Sequence, residues 1–227
     1  MSEVKKARAL SIKNLPYDFT VFTGSPAFLW YRPKRIYISK EAKKKVKHGM
    51  LLISNHISLR DPVYLLVGYP FRRHNFVATK ELFCTKFRKW FFGKFFRIIE
   101  IDRDNFSMAS FKEIVKRLKE GRMVTLFPEG HVNVNEDGSL NSFKGGMVMM
   151  AFKGNAPIVP VYIKKKKHWY SRLVIGIGEP IHINDHKSGP VPTIDDINKI
   201  SKLLEDQEKE LERLCNNERK KKHETSK

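Results

Sequence analysis

A histidine and an aspartate five positions apart are the residues of this sequence best suited to chemistry. His56 lies two positions after the strand-like run 51–54, and Asp61 lies where a helix is predicted to begin. Across a strand-to-helix turn, a carboxylate at this spacing can reach back to one imidazole nitrogen. Such a hydrogen bond fixes the tautomer of the ring and raises the basicity of its other nitrogen. The pair is therefore predicted to act as a general base on a hydroxyl group.

This pair makes up only two thirds of a catalytic triad. A hydroxyl carried by the substrate can serve as the missing nucleophile, and no covalent enzyme intermediate is then needed. The residue types also allow a second interpretation, in which His56 is a surface or capping histidine and Asp61 only stabilises the start of a helix. The pair alone leaves both interpretations open.

A second candidate segment follows the apolar run 123–127, which is predicted to be a buried strand. Pro128, Glu129 and Gly130 come directly after it. In open α/β sheets, ligands bind at the carboxyl ends of the strands. We therefore expect this segment and His56 at the same edge of one sheet, although an isolated F-P-E-G run is more often a turn than a site.

Short apolar runs alternate with helical patterns from residue 34 onward, which predicts an α/β fold. The predicted strands are 35–38, 50–54, 75–78, 123–127, 158–163 and 173–177, and the predicted helices are 59–67, 108–118 and 145–153. We expect a mixed sheet flanked by helices.

The carboxyl-terminal segment carries one apolar stripe along a long charged helix. The stripe consists of Ile197, Ile200, Leu203, Leu204, Leu211, Leu214 and Cys215. We expect this helix to pack across the domain, because the repeat is too short for a coiled coil. The predicted organisation is an aromatic and basic appendage at residues 1–33, one domain at 34–215 and a basic, disordered tail at 216–227.

The charge of the chain predicts a polyanionic partner. Its 227 residues carry 44 Lys and Arg against 24 Asp and Glu, a net charge of +20. Nucleic acid, an anionic bilayer or a phosphorylated ligand would fit such a surface. A basic nucleic-acid-binding protein is the alternative of a different class, but no RRM, KH, zinc-finger or helix-turn-helix signature is present.

Aromatic residues interleaved with basic ones predict contact with a membrane surface. The predicted contacts are Trp30, Tyr31, Phe87, Trp90 and Phe91. No apolar run approaches the ~20 residues of a spanning helix, and the first residues lack the apolar centre of a secretory signal. We expect a cytoplasmic protein, peripheral on the inner face of a membrane. Cys84 and Cys215 suggest no disulfide, and the histidines show no metal-ligand spacing, so no metal is predicted.

Four blocks of the sequence resemble the glycerolipid acyltransferases, the family that includes the lysophosphatidic acid acyltransferases. The family's N-H-x-S-x-x-D block is matched by Asn55, His56, Ser58 and Asp61, and its F-P-E-G block by Phe127, Pro128, Glu129 and Gly130. Two weaker blocks, 101–103 and 156–161, are similar to the family's arginine-bearing segment and V-P-V strand. Their order and separation agree from about residue 34 to residue 180, and four ordered blocks are far more specific than one.

The resemblance implies one glycerol-phosphate-acyltransferase-like domain that transfers a fatty acyl chain to the free hydroxyl of a lysophospholipid. The donor would be acyl-CoA or acyl carrier protein, and the foremost acceptor 1-acyl-glycerol 3-phosphate, in phospholipid biosynthesis. His56 would be the base and Asp61 its orienting partner. The implied substrate contacts are Asn55, Ser58, Lys80, Arg103, Phe127, Pro128, Glu129, Gly130 and Lys144. The implied partners are the acceptor, the thioester donor, an anionic membrane surface and acyl carrier protein, with no cofactor and no nucleic acid.

The sequence departs from the family at two expected phosphate contacts. His131-Val132-Asn133 stands where the family often has Thr-Arg-Ser, and Gly145 follows Lys144 where a second basic residue is common. Another lysolipid or an aminolipid therefore remains an alternative acceptor for the same hydroxyl acylation.

Overall fold

A seven-stranded sheet forms the centre of the protein. The computed structural model describes residues 14–24, 26–70, 72–101, 107–128, 141–168 and 170–224, and for 27, 28, 94, 95, 141–144 and 218–224 it describes the backbone alone. The strands are β1 (Lys34–Tyr37), β2 (Met50–Ser54), β3 (His74–Thr79), β4 (Ile99–Ile101), β5 (Met123–Leu126), β6 (Ile158–Ile163) and β7 (Val174–Ile177). Their spatial order is β1-β7-β6-β2-β5-β3-β4.

The pairing of the strands makes the sheet mixed, as predicted. β2 lies at its centre and pairs in parallel with both β5 and β6, while β6 and β7 pair antiparallel. Ile53 of β2 is opposite Leu126 of β5 and Pro160 of β6. The residues that follow β2 and β5 therefore leave the sheet side by side at one edge.

Helices cover both faces of this sheet. They are α1 (Leu15–Thr23), α2 (Pro26–Tyr31), α3 (Asp61–Gly68), α4 (Lys86–Phe91), α5 (Met108–Lys119), α6 (Asn141–Gly154) and α7 (Ile194–Glu224). Short 3-10 turns lie at Glu41–Lys43, Lys80–Phe83 and Ile183–Asp185, and a π-helical turn at Phe92–Phe96 continues α4.

The sequence of β2 explains why this strand is central. All five of its residues are buried. Leu51 and Ile53 belong to the apolar core beneath α5, α6 and α7, whereas Met50 and Leu52 belong to the core on the opposite face beneath α3. A strand covered on both faces has a continuous apolar sequence instead of an alternating one, which is what this run shows.

A capping box at the start of the long helix α7 and close packing against β7 further along fix its position. Thr193 and Asp196 form a reciprocal capping box, in which the Asp196 amide donates to Thr193 Oγ1 at 3.2 Å and the Thr193 amide donates to Asp196 Oδ2 at 2.9 Å. A Cβ at Gly176 would lie 2.9 Å from Cys215 Sγ, so the glycine lets α7 approach β7 closely. The helix was predicted; its backbone continues to Glu224, past the predicted domain end at residue 215.

The amino-terminal helices pack against the sheet where β3 begins. Arg73 forms a bidentate ion pair with Asp18 of α1, with N–O distances of 2.7 and 2.8 Å. The backbone amide of His74 donates to the hydroxyl of Tyr17 at 3.0 Å. Burial raises the pKa of Tyr17 to about 12, so this phenol stays protonated. Among the described residues, no helix has both the length and the apolar character that a membrane span requires.

Candidate active site

His56 lies where the central strand β2 leaves the sheet. One residue, Asn55, separates it from the end of the strand at Ser54, so rigid backbone holds it at the edge shared by β2, β5 and β6. Its side chain is 15% exposed. The ring is therefore held on one side and open on the other.

Asp61 forms the hydrogen bond to His56 that their spacing suggests. The distance from His56 Nδ1 to Asp61 Oδ2 is 2.8 Å, and the Asp61 side chain is fully buried. Because a carboxylate oxygen accepts, Nδ1 carries the proton and Nε2 carries the lone pair. Among the described residues, no hydrogen-bond partner of Nε2 is present, so this nitrogen remains available to a substrate hydroxyl.

Three donors converge on the same oxygen of Asp61. Besides His56, the backbone amides of Ile57 and Ser58 donate to Oδ2 at 2.6 and 2.8 Å. Asp61 is also the first residue of α3, where the helix dipole favours negative charge. These contacts hold the loop 56–61 in one conformation. In the second interpretation, Asp61 only stabilises a helix start beside a histidine. This interpretation accounts for the two amide hydrogen bonds, but it gives no role to the bond with the imidazole or to the unengaged Nε2.

A phenylalanine from the neighbouring strand fixes the plane of the His56 ring. The centroid of Phe127 lies 4.4 Å from that of His56, with 23° between the ring planes. Phe127 directly follows β5, which is paired with β2. Two motifs more than 70 residues apart are thus brought into van der Waals contact by strand pairing.

Asn55 joins the His56 loop to a third strand. Its Nδ2 donates to the carbonyl of Ile163 at 3.0 Å, and its Oδ1 accepts from the amide of Ile163 at 2.7 Å. These two bonds extend the pairing of β2 with β6 by a side chain. Asn55 thereby positions the backbone beside the histidine; its predicted contact with substrate stays a prediction.

The other predicted substrate contacts are only partly within the described chain. Ser58 Oγ accepts from the backbone amide of Arg60 at 3.2 Å, and Pro128 lines a cleft beside Asn55. Lys80 begins the 3-10 turn after β3 and is exposed. Arg103, Glu129, Gly130 and the side chain of Lys144 lie outside what the structure describes.

A narrow apolar cleft opens between this edge of the sheet and α7. Its volume is about 50 Å³, and its walls include Ile53, Met147 and Leu204, with Asn55 and Pro128 at the catalytic end. The carboxylates of Glu205 and Glu208 also line it.

A pair of cations near the His56 loop was not predicted. Lys166 Nζ lies 4.9 Å from the ring centroid of Tyr31, and the Tyr31 ring meets the edge of Tyr64 at 5.2 Å. Burial and the nearby guanidinium of Arg60 lower the pKa of Lys166. Arg60 lies inside the N-H-x-S-x-x-D block, and the chain reversal after β6 brings Lys166 near it.

The predicted membrane contacts differ in exposure. Phe87 is 69% exposed, and Trp90 and Trp30 are each more than half exposed. Phe91 is partly buried and stacks on Phe87 at 6.0 Å. Tyr31 is also partly buried, and its carbonyl accepts from the amide of Leu173 at 2.9 Å.

The described residues contain no group of three His, Cys, Asp or Glu side chains that could hold a metal ion. Cys84, which is exposed, and Cys215, which is buried, form no disulfide within the described residues.

Comparisons with known proteins agree with this arrangement. The family model described as Acyltransferase matches residues 35–164. The 1-acyl-sn-glycerol-3-phosphate acyltransferase of Bacillus subtilis is 32% identical over 170 residues, which cover 72% of this chain and 81% of the relative. The protein of the same name from Borreliella burgdorferi is 26% identical over 207 residues, covering 88% of this chain and 76% of the relative.

The fold also has a solved counterpart. The crystal structure of the 1-acyl-sn-glycerophosphate (LPA) acyltransferase PlsC from Thermotoga maritima superposes with a TM-score of 0.58 at 23% identity. The match covers 87% of this chain and 79% of that one, which shows the shared fold. With the family model matching more than half of the chain, and with the strands placing His56, Asp61 and Phe127 together, the protein belongs to the acyltransferase family and is an acyltransferase.

Proposed function

We propose that this acyltransferase moves a fatty acyl chain from a thioester, acyl-CoA or acyl carrier protein, to the free hydroxyl of 1-acyl-glycerol 3-phosphate. The observation that carries the proposal is the 2.8 Å bond from His56 Nδ1 to the buried Asp61 carboxylate, because it leaves Nε2 as a base at the edge of the sheet. The names of the relatives from Bacillus subtilis and Borreliella burgdorferi support this choice of acceptor.

The first chemical step is proton transfer from the acceptor. Nε2 of His56 takes the hydroxyl proton while the oxygen forms a bond to the thioester carbonyl carbon. The imidazolium that results is stabilised by the anionic carboxylate of Asp61 on its Nδ1 side. Phe127 keeps the ring plane fixed during the transfer.

The second step is collapse of the tetrahedral oxyanion. The carbon–sulfur bond breaks, the carbonyl reforms, and the departing thiolate takes the proton from Nε2 of His56. The ester product and a free thiol leave, and the neutral imidazole is restored. The atoms balance without a covalent enzyme intermediate, and among the described residues no serine or cysteine side chain is hydrogen-bonded to His56.

The acceptor's phosphate requires cations at the same edge. Lys80 is the predicted contact on the side of β3, and Arg60 and Lys166 lie on the side of β6 and α3. We propose that these three replace the basic residues that the sequence lacks after Gly130 and Lys144. A lysolipid without phosphate would gain no binding energy from these three cations.

A membrane surface would deliver the acceptor, since a lysolipid with one acyl chain partitions into bilayers. We propose peripheral docking on the cytoplasmic face through the exposed aromatics of α2 and α4. The double substitution Phe87→Ser with Trp90→Ser should weaken co-sedimentation with anionic vesicles at least tenfold. Met108→Ser, which changes another exposed apolar residue, is the matched control and should have no effect.

Mass spectrometry of products tests the transfer itself. The purified protein is incubated with acyl-CoA, or with acyl carrier protein loaded with the same chain, and a mixture of lysolipids. We expect phosphatidate as the main product, formed at least tenfold faster than any other. Transfer to a different lysolipid or to an aminolipid would contradict the proposed acceptor but support acyl transfer as the reaction. If no acylated product forms with any acceptor, both the acceptor and the reaction are refuted.

A further inference from the structure

The loop between β6 and β7, residues 164–173, lies at the same edge of the sheet as the candidate active site. β6 is parallel to β2, so both strands end at this edge, and β7 and β1 begin there. The amide of Leu173 donates to the carbonyl of Tyr31 at 2.9 Å, and Arg172 Nε donates to the carbonyl of Arg32 at 2.7 Å. The loop and the end of α2 therefore form one continuous surface.

The loop that carries His56 borders this surface. Asn55 is hydrogen-bonded to Ile163 at the end of β6, and the ring of Tyr64 in α3 meets that of Tyr31 at 5.2 Å. Residues 57–60 connect these two points of contact, so they reach the surface beside the β6–β7 loop. We call residues 28–34, 55–63 and 164–173 the basic rim.

Charges of one sign dominate the basic rim. Its three segments contain eight Lys and Arg against a single acidic residue, Asp61, which is buried and bonded to His56. Arg32, Lys165 and Lys167 are exposed, and no ion pair between described residues includes any of them. These three cations are therefore available to an external anion.

Large apolar side chains are exposed among these cations. Leu29 of α2 is 81% exposed, Tyr170 of the β6–β7 loop is 61% exposed, and Leu59, between the base and its carboxylate partner, is 87% exposed. The amide hydrogen bonds to Asp61 fix the loop around Leu59, so its outward position belongs to the folded structure. An apolar side chain held outward in this way is stabilised only when a partner removes it from water.

An anionic bilayer fits both properties of the basic rim. Its headgroups supply negative charge to Arg32, Lys165 and Lys167, and the region beneath the headgroups accepts apolar side chains. Nucleic acid would satisfy the cations, but its phosphate backbone offers no apolar phase to Leu29 or Leu59. The combination of charge and exposed leucine therefore favours the bilayer.

We propose that the basic rim binds the anionic surface of the membrane, with Leu59 inserted between the lipids. The inference rests on the proposed transfer to a membrane lysolipid, and it goes beyond docking through α2 and α4 because it places the loop of the base itself in the interface. Leu59 is three residues from His56, a span of at most about 10 Å. The base is then close to the glycerol groups of the lipids, and the acceptor's hydroxyl reaches it while the acyl chain stays in the bilayer.

Co-sedimentation with vesicles tests the charged part of the basic rim. The double substitution Lys165→Gln with Lys167→Gln should weaken binding to phosphatidylcholine vesicles that contain phosphatidylglycerol about 30-fold, because each basic residue near an anionic surface strengthens binding about fivefold. Lys119→Gln with Lys153→Gln removes the same charge where α5 and α6 end, at the opposite edge of the sheet. This control should weaken binding less than about threefold, because salt screens distant charges. Equal losses in the two variants, or no loss in the first, would overturn the proposal.

A second pair of variants tests the insertion of Leu59. Leu59→Ser should weaken binding to the same vesicles about tenfold, because the apolar burial is lost. Ile194→Ser changes an equally apolar, exposed residue at the start of α7 on the opposite edge and should have no effect. Unchanged binding of Leu59→Ser, or an equal loss in Ile194→Ser, would refute the insertion. Tighter binding of a DNA duplex than of these vesicles at physiological salt would assign the basic rim to nucleic acid and overturn the proposal.

Activity separates failure of this surface from failure of the proposed function. Below saturating vesicle concentrations, Lys165→Gln with Lys167→Gln should transfer from acyl-CoA to 1-acyl-glycerol 3-phosphate in anionic vesicles at least about tenfold more slowly than the wild type. Transfer to a soluble short-chain analogue should be unchanged within about twofold. Equal slowing with both acceptors would show that the lysines act on the substrate and would overturn the proposal. The binding measurements need no substrate, so they decide this proposal even if the wild type transfers nothing and the proposed function is refuted.

Discussion

His56 and His74 occupy opposite edges of the same sheet, and their rings carry their protons on different nitrogens. His56 donates through Nδ1 to a carboxylate, which leaves Nε2 with a lone pair. His74 donates through Nε2 to the carbonyl of Tyr69 at 3.0 Å, and its Nδ1 accepts from the hydroxyl of Thr125 at 2.9 Å. Each ring stacks on a phenylalanine, Phe127 for His56 and Phe76 for His74.

The number of engaged ring nitrogens and the charge of their partners distinguish a reactive histidine from a structural one. His74 is fully buried, both of its nitrogens are used, and burial lowers its pKa to about 4. His56 has one nitrogen fixed by a charged partner, and its other nitrogen has no hydrogen-bond partner among the described residues. Both rings are hydrogen-bonded and stacked on an aromatic residue, so these features do not identify a base. A base is distinguished by one unengaged nitrogen and by an anionic partner on the other nitrogen.

The largest expected effect is loss of activity in His56→Ala. Removal of the base should lower kcat by about 10⁴-fold, because proton abstraction then falls to water. The Tm should change by no more than a few degrees, since the ring is partly exposed. Acyl transfer and thermal unfolding of the same preparation check this. If the variant unfolds, or if it retains activity, His56 is not the base.

Asp61→Asn should have the next largest effect. It keeps the size of the side chain but removes the charge that stabilises the imidazolium, so kcat should fall by about 10³-fold. The KM for the acceptor should change little, because the carboxylate is buried behind His56. A rise in KM with unchanged kcat would mean that Asp61 binds substrate and does not orient the base.

Protonation of His74 should make the free energy of unfolding depend on pH. Its pKa of about 4 in the folded state lies below the ordinary value of 6.5, so the unfolded chain binds the extra proton. Stability is therefore complete above pH 6.5 and falls as the pH drops toward 4. Between pH 7 and pH 5 the loss from this group should be about 2 kcal/mol. Urea unfolding at both pH values checks this in the wild type and His74→Gln, whose pH dependence should be smaller by that amount; equal dependence would contradict it.

Phe127→Leu should have the smallest effect. An aromatic contact is worth about 0.5–1.5 kcal/mol beyond its buried area, so loss of the stacked ring should lower kcat by about threefold to tenfold. The matched variant Phe76→Leu removes the ring beside His74 and should lower the Tm while leaving kcat unchanged. Rate effects of equal size in both variants would show that the stacking on His56 has no special role.

The sequence predicted the edge of the sheet that carries the site better than the opposite edge. Strand β2 is apolar from Met50 to Ile53 and ends at Ser54, directly before Asn55 and His56, so local pattern and motif agree. The predicted core strands and the three predicted helices lie within a few residues of their observed bounds. The spacing from His56 to Asp61 sufficed to suggest their hydrogen bond because the contact is local.

Contacts between distant segments could not be predicted in this way. Strand β4 has three residues, and it exists as a strand because Val77 and Thr79 of β3 pair with it. A small recess where β3 and β5 begin is lined by Arg97, directly after the π-helical turn, and by Arg122, directly before β5. Among 44 basic residues, no spacing singles these out. The pairing of Lys166 with Tyr31 depends likewise on a chain reversal.

Nitrogen-15 NMR of the imidazole rings can show directly whether Nε2 of His56 is available as a base, because it reports which nitrogen carries the proton. With His56→Gln and His74→Gln used to assign the signals, His56 should show a protonated Nδ1 and an unprotonated Nε2 at neutral pH. His74 should show the reverse, and it should remain neutral at pH 5.5. If His56 instead carries its proton on Nε2, that nitrogen has no lone pair, and His56 cannot be the base that deprotonates the acceptor.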